Sequence, residues 1–255
     1  MEINVIYAII AREFKRFTRE KSRLVSAIAR PMVWLFFVGE GMSKIVPRSE
    51  GGISYMQFIF PGILGMTILF SSIFSSISII WDREFGFMKE MLVAPISRFS
   101  IVLGKGISGA LTSTFQAVII LAIFPVVGLE LNASQIMESF GICLMLSLCI
   151  SLIGIVIAEF FTSFESFSVI MNFIVMPMFF LSGAMYPIKT LPDYLKWATK
   201  INPLTYGVDA LKNIILPLHN GLMSPDFAVT IDVAVLLGAT ILFLTIAVKF
   251  FKIRD

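Results

Sequence analysis

Between Glu138 and Glu159 the chain runs through FGICLMLSLCISLIGIVIA without one charge. A run of about 20 apolar residues matches the thickness of a bilayer's hydrocarbon core. In lipid the backbone N–H and C=O groups have no water to bond, so such a run must be helical unless it closes into a barrel. The whole chain of 255 residues follows the same bias, being 57% hydrophobic, 15% charged and of mean hydropathy +0.91. Soluble domains run nearer ~45–50% apolar and ~25% charged. A soluble globular fold is thereby excluded, and a net charge of +3 gives no support to a nucleic-acid partner.

Reading every apolar run in this way gives six spans: Leu24 to Val46, Met56 to Trp81, Ser100 to Val127, Glu138 to Phe161, Ser166 to Tyr186 and Phe227 to Val248. The first is interrupted by Arg30, Pro31, Glu40 and Lys44. The expectation is an all-α polytopic membrane protein in a single domain, 1–255. It divides into a leading segment 1–23, spans one to five over 24–186, an outer segment 187–226, and span six with its tail over 227–255. Basic residues concentrate from Arg12 to Arg23, from Arg83 to Lys105 and from Lys249 to Arg254. The other side holds Lys44, Arg48, Lys189, Lys196, Lys200 and Lys212. That asymmetry puts both termini in the cytoplasm of a multi-pass protein of the cell membrane.

Three segments outside the spans are informative. Ile3, Ile6, Tyr7, Ile10, Phe14 and Phe17 recur at intervals of three and four, with Arg12, Glu13, Lys15, Arg16, Arg19 and Glu20 on the other side. This is an amphipathic helix, either an interfacial anchor or a dock for a cytoplasmic partner. Asp82 to Ser100 begins with clustered charges and continues with Phe85, Met88, Met91 and Leu92 on one helical face before Pro95. An exposed apolar ridge of that kind marks a protein contact. Pro187 to Asp226 is broken by Pro187, Pro192, Pro203, Pro217 and Pro225, and reads as an outer re-entrant or surface-lying helical hairpin carrying Tyr194, Trp197 and Tyr206.

Motifs suggestive of chemistry dissolve in context. Gly104, Gly106 and Gly109 spell GxGxxG, but inside an apolar span rather than after a strand, so they read as sites of close helix approach. No GxxxxGK[ST] loop occurs. Ser182 and His219, the only histidine, form the alternative of an intramembrane enzyme, without a visible orienting group. Cys143 and Cys149 read as buried packing residues, and no cluster has metal-ligand spacing, so no cofactor is expected. Ser71, Ser75 and Ser78 share one helix face. They suit either helix packing or a polar transport path, to which Glu40 and Met178 are the other candidates.

Three blocks carry a family resemblance: YMQFIFPGIL from Tyr55, WDREFGFMKEMLVAPISR from Trp81, and FLSGAMYPIKTLPDYLKWATKINPLTYGVDALKNIIL from Phe180. In this order they resemble the membrane permeases of type-2 ATP-binding cassette exporters, the group with the daunorubicin-resistance, nodulation-factor and polysaccharide export permeases. Lys89 and Lys212 depart from the residues common among relatives. The resemblance implies a non-catalytic subunit with a second permease copy and a separate ATPase as partners. The ATPase would meet an amino-terminal interface helix, here with Arg12, Phe14, Lys15 and Arg16, and a cytoplasmic coupling helix after span two, here with Asp82, Arg83, Glu84, Phe85, Gly86, Met88 and Glu90. It further implies export of an amphipathic drug, lipid or lipid-linked glycan. An ATP-independent channel or carrier is the remaining alternative.

Overall fold

The computed structural model describes residues 2–46, 52–93, 96–161, 163–216, 221 and 223–251, and all regular structure among them is helical. In order these are α1 (Glu2–Arg19), α2 (Lys21–Val33), α3 (Glu40–Ser43), α4 (Tyr55–Ser75), α5 (Ile77–Glu84), α6 (Phe87–Val93), α7 (Arg98–Leu121), α8 (Ala133–Phe160), α9 (Phe164–Ile170), α10 (Met176–Phe180), α11 (Asp193–Ile201), α12 (Pro203–Ile215) and α13 (Val229–Phe250). Turns of π-helix at Trp34–Gly39 and Met171–Val175 join α2 to α3 and α9 to α10.

Helix α4 is the axis of the bundle. Ser54 starts it with a capping box: its Oγ accepts from the Gln57 N–H, and its own N–H donates to Gln57 Oε1 at 3.0 Å. Helices α7, α8 and α12 surround α4, α1 lies along α7, and α13 lies against α8 and α12. Small residues set these distances. A Cβ on Gly62 would sit 2.7 Å from Ala184 Cα, on backbone that has no room to give, and one on Gly109 would strike the Ser75 and Ser151 hydroxyls. Gly104 and Gly106 likewise face Ile9 and Leu152, so the GxGxxG glycines serve helix approach.

The six-span expectation does not hold. Among the described residues three helices are long and apolar enough to cross a membrane: Tyr55–Glu84, Ala133–Phe160 and Val229–Phe250. The Leu24 to Val46 run holds Pro31 within α2, is interrupted by the π turn, and carries Arg30, Glu40 and Lys44. Helix α7 is long enough, but Arg98, Lys105 and Gln116 together with its serines and threonines dilute its hydropathy. Phe164–Phe180 is only 17 residues long.

Two further expectations are corrected. At the place of the coupling helix stands the seven-residue α6, whose Met88 and Met91 are buried in the core instead of forming an outward ridge. Among its described residues the Pro187 to Asp226 segment forms no re-entrant hairpin. Within it a single turn of 3₁₀-helix (Ile188–Thr190) precedes α11 and α12, and Asn202 caps α12 beside Pro203, so the chain turns between two helices that barely touch. Helix α12 is packed into the bundle, while Tyr194 and Trp197 of α11 face outward. The amphipathic α1 is present, but its packed side centres on Ile9, Glu13 and Phe17, leaving Ile3 and Tyr7 exposed.

Candidate functional site

Lys105 sits within α7 with 2% of its side chain exposed, a depth at which an unpaired ammonium would be costly. Three groups satisfy it: Asp82 at the end of α5, Glu13 of α1 at 2.9 Å and the Ser78 hydroxyl at 3.0 Å. Arg12 closes the ring by donating to Asp82 at 2.8 Å and Glu13 at 2.7 Å. Burial alone would raise the Glu13 carboxyl, but Lys105 and Arg12 outweigh it and hold Glu13 below the usual carboxylate range. For Arg12, burial acts to lower the guanidinium, and Glu13 and Asp82 reverse that and raise it. Two aromatic rings brace the same arginine row: Arg12 lies 4.4 Å over Phe87 and Arg16 4.2 Å over Trp81.

The neighbouring candidates divide by exposure. Asp82 is 7% exposed, and Arg83 pairs with Glu159 and donates to the Ala158 carbonyl at 3.3 Å, tying α5 to the end of α8. Glu84 and Phe85 point outward, Phe85 at 79% exposure, where Gly86 turns the chain with φ +77. Phe14 and Lys15 are exposed on α1, and Arg16 is half-buried. The side chain of Glu90 lies outside the described residues, as does His219.

The serine face splits in two. Ser75 and Ser78 line a small cleft with Glu13, Arg16 and Lys105. Ser71 lines a separate cavity of about 270 Å³ between α2, α4, α5, α7 and α9, whose walls include Arg30, Phe70, Phe74, Trp81, Gln116 and Phe164. Trp81 borders both. Neither Glu40 nor Met178 lines either space, and exposed Glu40 makes no ion pair with Lys44. Met178 uses its carbonyl to accept from Asn202 Nδ2 at 2.6 Å.

Sequence reasoning did not find the roles of Glu13, Lys105 and Gln116. The available signal was a lone lysine inside an apolar helix, since a buried ammonium requires carboxylates.

A second polar cluster lies near the start of α4. Asp209 accepts from the backbone N–H groups of Asp226 and Phe227, each at 2.8 Å, and Lys212 donates to the Gly183 carbonyl at 2.6 Å while sitting 4.4 Å over the Phe58 ring. Burial pushes Lys212 down to about 8, against the pull of Asp209 and Asp226. Burial also raises Asp209 above the ordinary aspartate value, partly offset by its two backbone donors. Among the described residues no group of three His, Cys, Asp or Glu side chains is placed to hold a metal ion.

A family model described as ABC-2 type transporter matches residues 4–216. The chain is 30% identical over 213 residues to the candidate transport permease ycf38 of Cyanophora paradoxa, covering 82% of this chain and 73% of that protein. It is 26% identical over 198 residues to Nodulation protein J of Rhizobium leguminosarum bv. trifolii, covering 76% and 74% respectively. With the inner membrane transport permease YadH of Escherichia coli it shares 24% identity over 229 residues, 88% of either chain.

Proposed function

The chain belongs to the ABC-2 type transporter family, a membrane-embedded and non-catalytic permease, and on that premise we propose that it is the translocating subunit of an ATP-driven exporter. In this reading all of 1–255 is one permease domain that pairs with a second permease copy. Both termini lie in the cytoplasm, where a separate ATPase subunit binds, and the cargo is an amphipathic drug, lipid or lipid-linked glycan.

One observation carries the docking part of the proposal. The exposed Glu84–Phe85 knuckle is fixed from both sides, by the Asp82–Lys105–Glu13–Arg12 network and by the Arg83–Glu159 pair. A surface contact held by paired buried charges moves as one piece with the helices that own those charges. Force applied by an ATPase at Glu84, Phe85 and Gly86, or along Phe14 and Lys15 of α1, is thereby passed to Trp81 and the wall of the cavity containing Ser71. Ser75 and Ser78 lie on that route. Nucleotide shifts the permease only to the extent that the ATPase binds its conformations unequally.

Affinity purification of the tagged chain in mild detergent, with vanadate-sensitive ATP hydrolysis as the readout, tests this. A stoichiometric ATPase that co-purifies with the wild type and is lost in Glu84→Lys/Phe85→Ala supports it. A lone, ATP-indifferent protein that still transports assigns the chain to an ATP-independent channel or carrier.

A further inference from the structure

The 270 Å³ cavity has a composition that packing does not require. Among the described residues Arg30 is the one charged side chain in its lining, and it is exposed on α2 over Phe70, 5.2 Å from the ring centre. Among the described residues no acidic side chain forms an ion pair with it. Gln116 in the same lining is 1% exposed, and its Oε1 has no hydrogen-bond partner among the described residues. A buried acceptor left unpaired is costly, so its place in a cavity wall points to a donor that enters the cavity. The remaining wall is largely apolar and aromatic, with Phe70, Phe74, Trp81 and Phe164.

We propose that this cavity binds an anionic amphiphile whose headgroup also carries a hydroxyl or amide N–H. Arg30 meets the anion, Gln116 accepts from the donor, and the aromatic wall holds the adjoining part of the apolar body. No carboxylate is among the described lining residues, which disfavours a cationic amphiphile. Ligand pockets that enclose a whole drug-sized molecule span about 300–1,000 Å³. At 270 Å³ this one holds the region next to the headgroup, and the tail stays in the bilayer. The inference deepens the transport reading and rests on it, naming the charge class of the cargo.

Trp81 borders the cavity, and Trp34 and Trp197 do not. The experiment uses the Trp34→Phe/Trp197→Phe chain in nanodiscs of phosphatidylcholine, with a small fraction of lipid replaced by dibrominated phosphatidylglycerol or by dibrominated phosphatidylcholine. Bromine quenches at short range, so quenching of Trp81 beyond the baseline set by the dibrominated phosphatidylcholine reports lipid held at the site. The expected result is half-maximal quenching at an about tenfold lower fraction of the glycerol lipid, the effect of one charge-assisted hydrogen-bond pair. Arg30→Gln removes that preference, Arg30→Lys keeps most of it, and Gln116→Leu weakens it severalfold. Equal quenching by both lipids overturns the proposal, as does a preference that survives Arg30→Gln. An Arg30-dependent change in Trp81 emission with inorganic phosphate alone, without bromolipid preference, also overturns it, because the site then reads a free anion. Should Arg30→Gln fail to elute as a folded protein, Gln116→Leu decides. None of these readouts needs an ATPase, so failure here is separable from failure of co-purification.

Discussion

The two ends of the long Tyr55–Glu84 helix handle buried charge in opposite ways. At the Asp82 end, Lys105 and Arg12 are balanced by Asp82 and Glu13, so four charged groups from α1, α5 and α7 form one closed ring. At the Phe58 end, Lys212 and Asp209 are satisfied mainly by backbone, through the Gly183 carbonyl and the N–H groups of Asp226 and Phe227. Charges paired with charges make each member depend on the others. Charges paired with backbone hold a loop in place, and each can be altered more independently.

The largest expected difference follows from truncating the lysine at each end. Lys105→Met leaves Asp82 and Glu13 to share Arg12, which is more exposed, and removing one partner of a buried pair costs about 3–5 kcal/mol. Thermal unfolding of the purified protein in detergent reads this as the steepest loss in the set. Lys212→Met removes an ammonium that burial already disfavours and leaves one carbonyl unbonded, a cost of about 1 kcal/mol. Equal losses at the two positions break the comparison.

Glu13→Gln comes next. It keeps the shape but removes the charge facing Lys105 and Arg12, and hydrogen bonds to charged groups are worth about 1.5–3 kcal/mol. The expected loss is intermediate, and it should shrink in a Lys105→Met background, where Arg12 is the cation that Glu13 still faces. An additive double mutant contradicts the closed ring.

The smallest effects are in pH, and they have opposite signs. Glu13 is held below its ordinary value, so its contribution is complete above the unfolded pKa and fades as pH falls through the folded one. Lys212 is pushed down to about 8, so the penalty of burying its charge is complete below that value. It is relieved as pH rises toward the ordinary lysine value of about 10.4. Unfolding temperature should therefore fall on acidification in a Glu13-dependent manner, and rise on alkalinisation in a Lys212-dependent one. Lys212→Met with an unchanged alkaline slope contradicts the second assignment.

The same contrast shows what the sequence made legible. The uncharged run before Glu159 and the periodicity of α1 announced a helical membrane protein, because lipid imposes those patterns directly. The three expectations of spacing, namely six spans, a ridged helix after Trp81 and a hairpin after Pro187, failed where local pattern met tertiary packing. Met88 and Met91 have the spacing of an exposed ridge, yet the same face packs inward once Gly86 has turned the chain. Helix α7 has the length of a span, but Lys105 commits it to Glu13 and Asp82 instead of lipid. Among candidate site residues, Ser71, Ser75 and Ser78 do share a face, and the structure parts them between cavity and ion network. That division depends on where α1 and α2 lie, which no pattern within Ser71 to Ser78 encodes.

The central claim is that the charge-held knuckle at Glu84 and Phe85 is where an ATPase meets this permease. Phe85→p-benzoylphenylalanine, irradiated in membranes of cells that carry the complete transporter, tests it most directly, with the same substitution at exposed Val126 as reference. The account predicts an adduct with an ATP-binding subunit from position 85 and none from position 126. No adduct at 85 in normally inserted protein, or the same adduct from both positions, would contradict it.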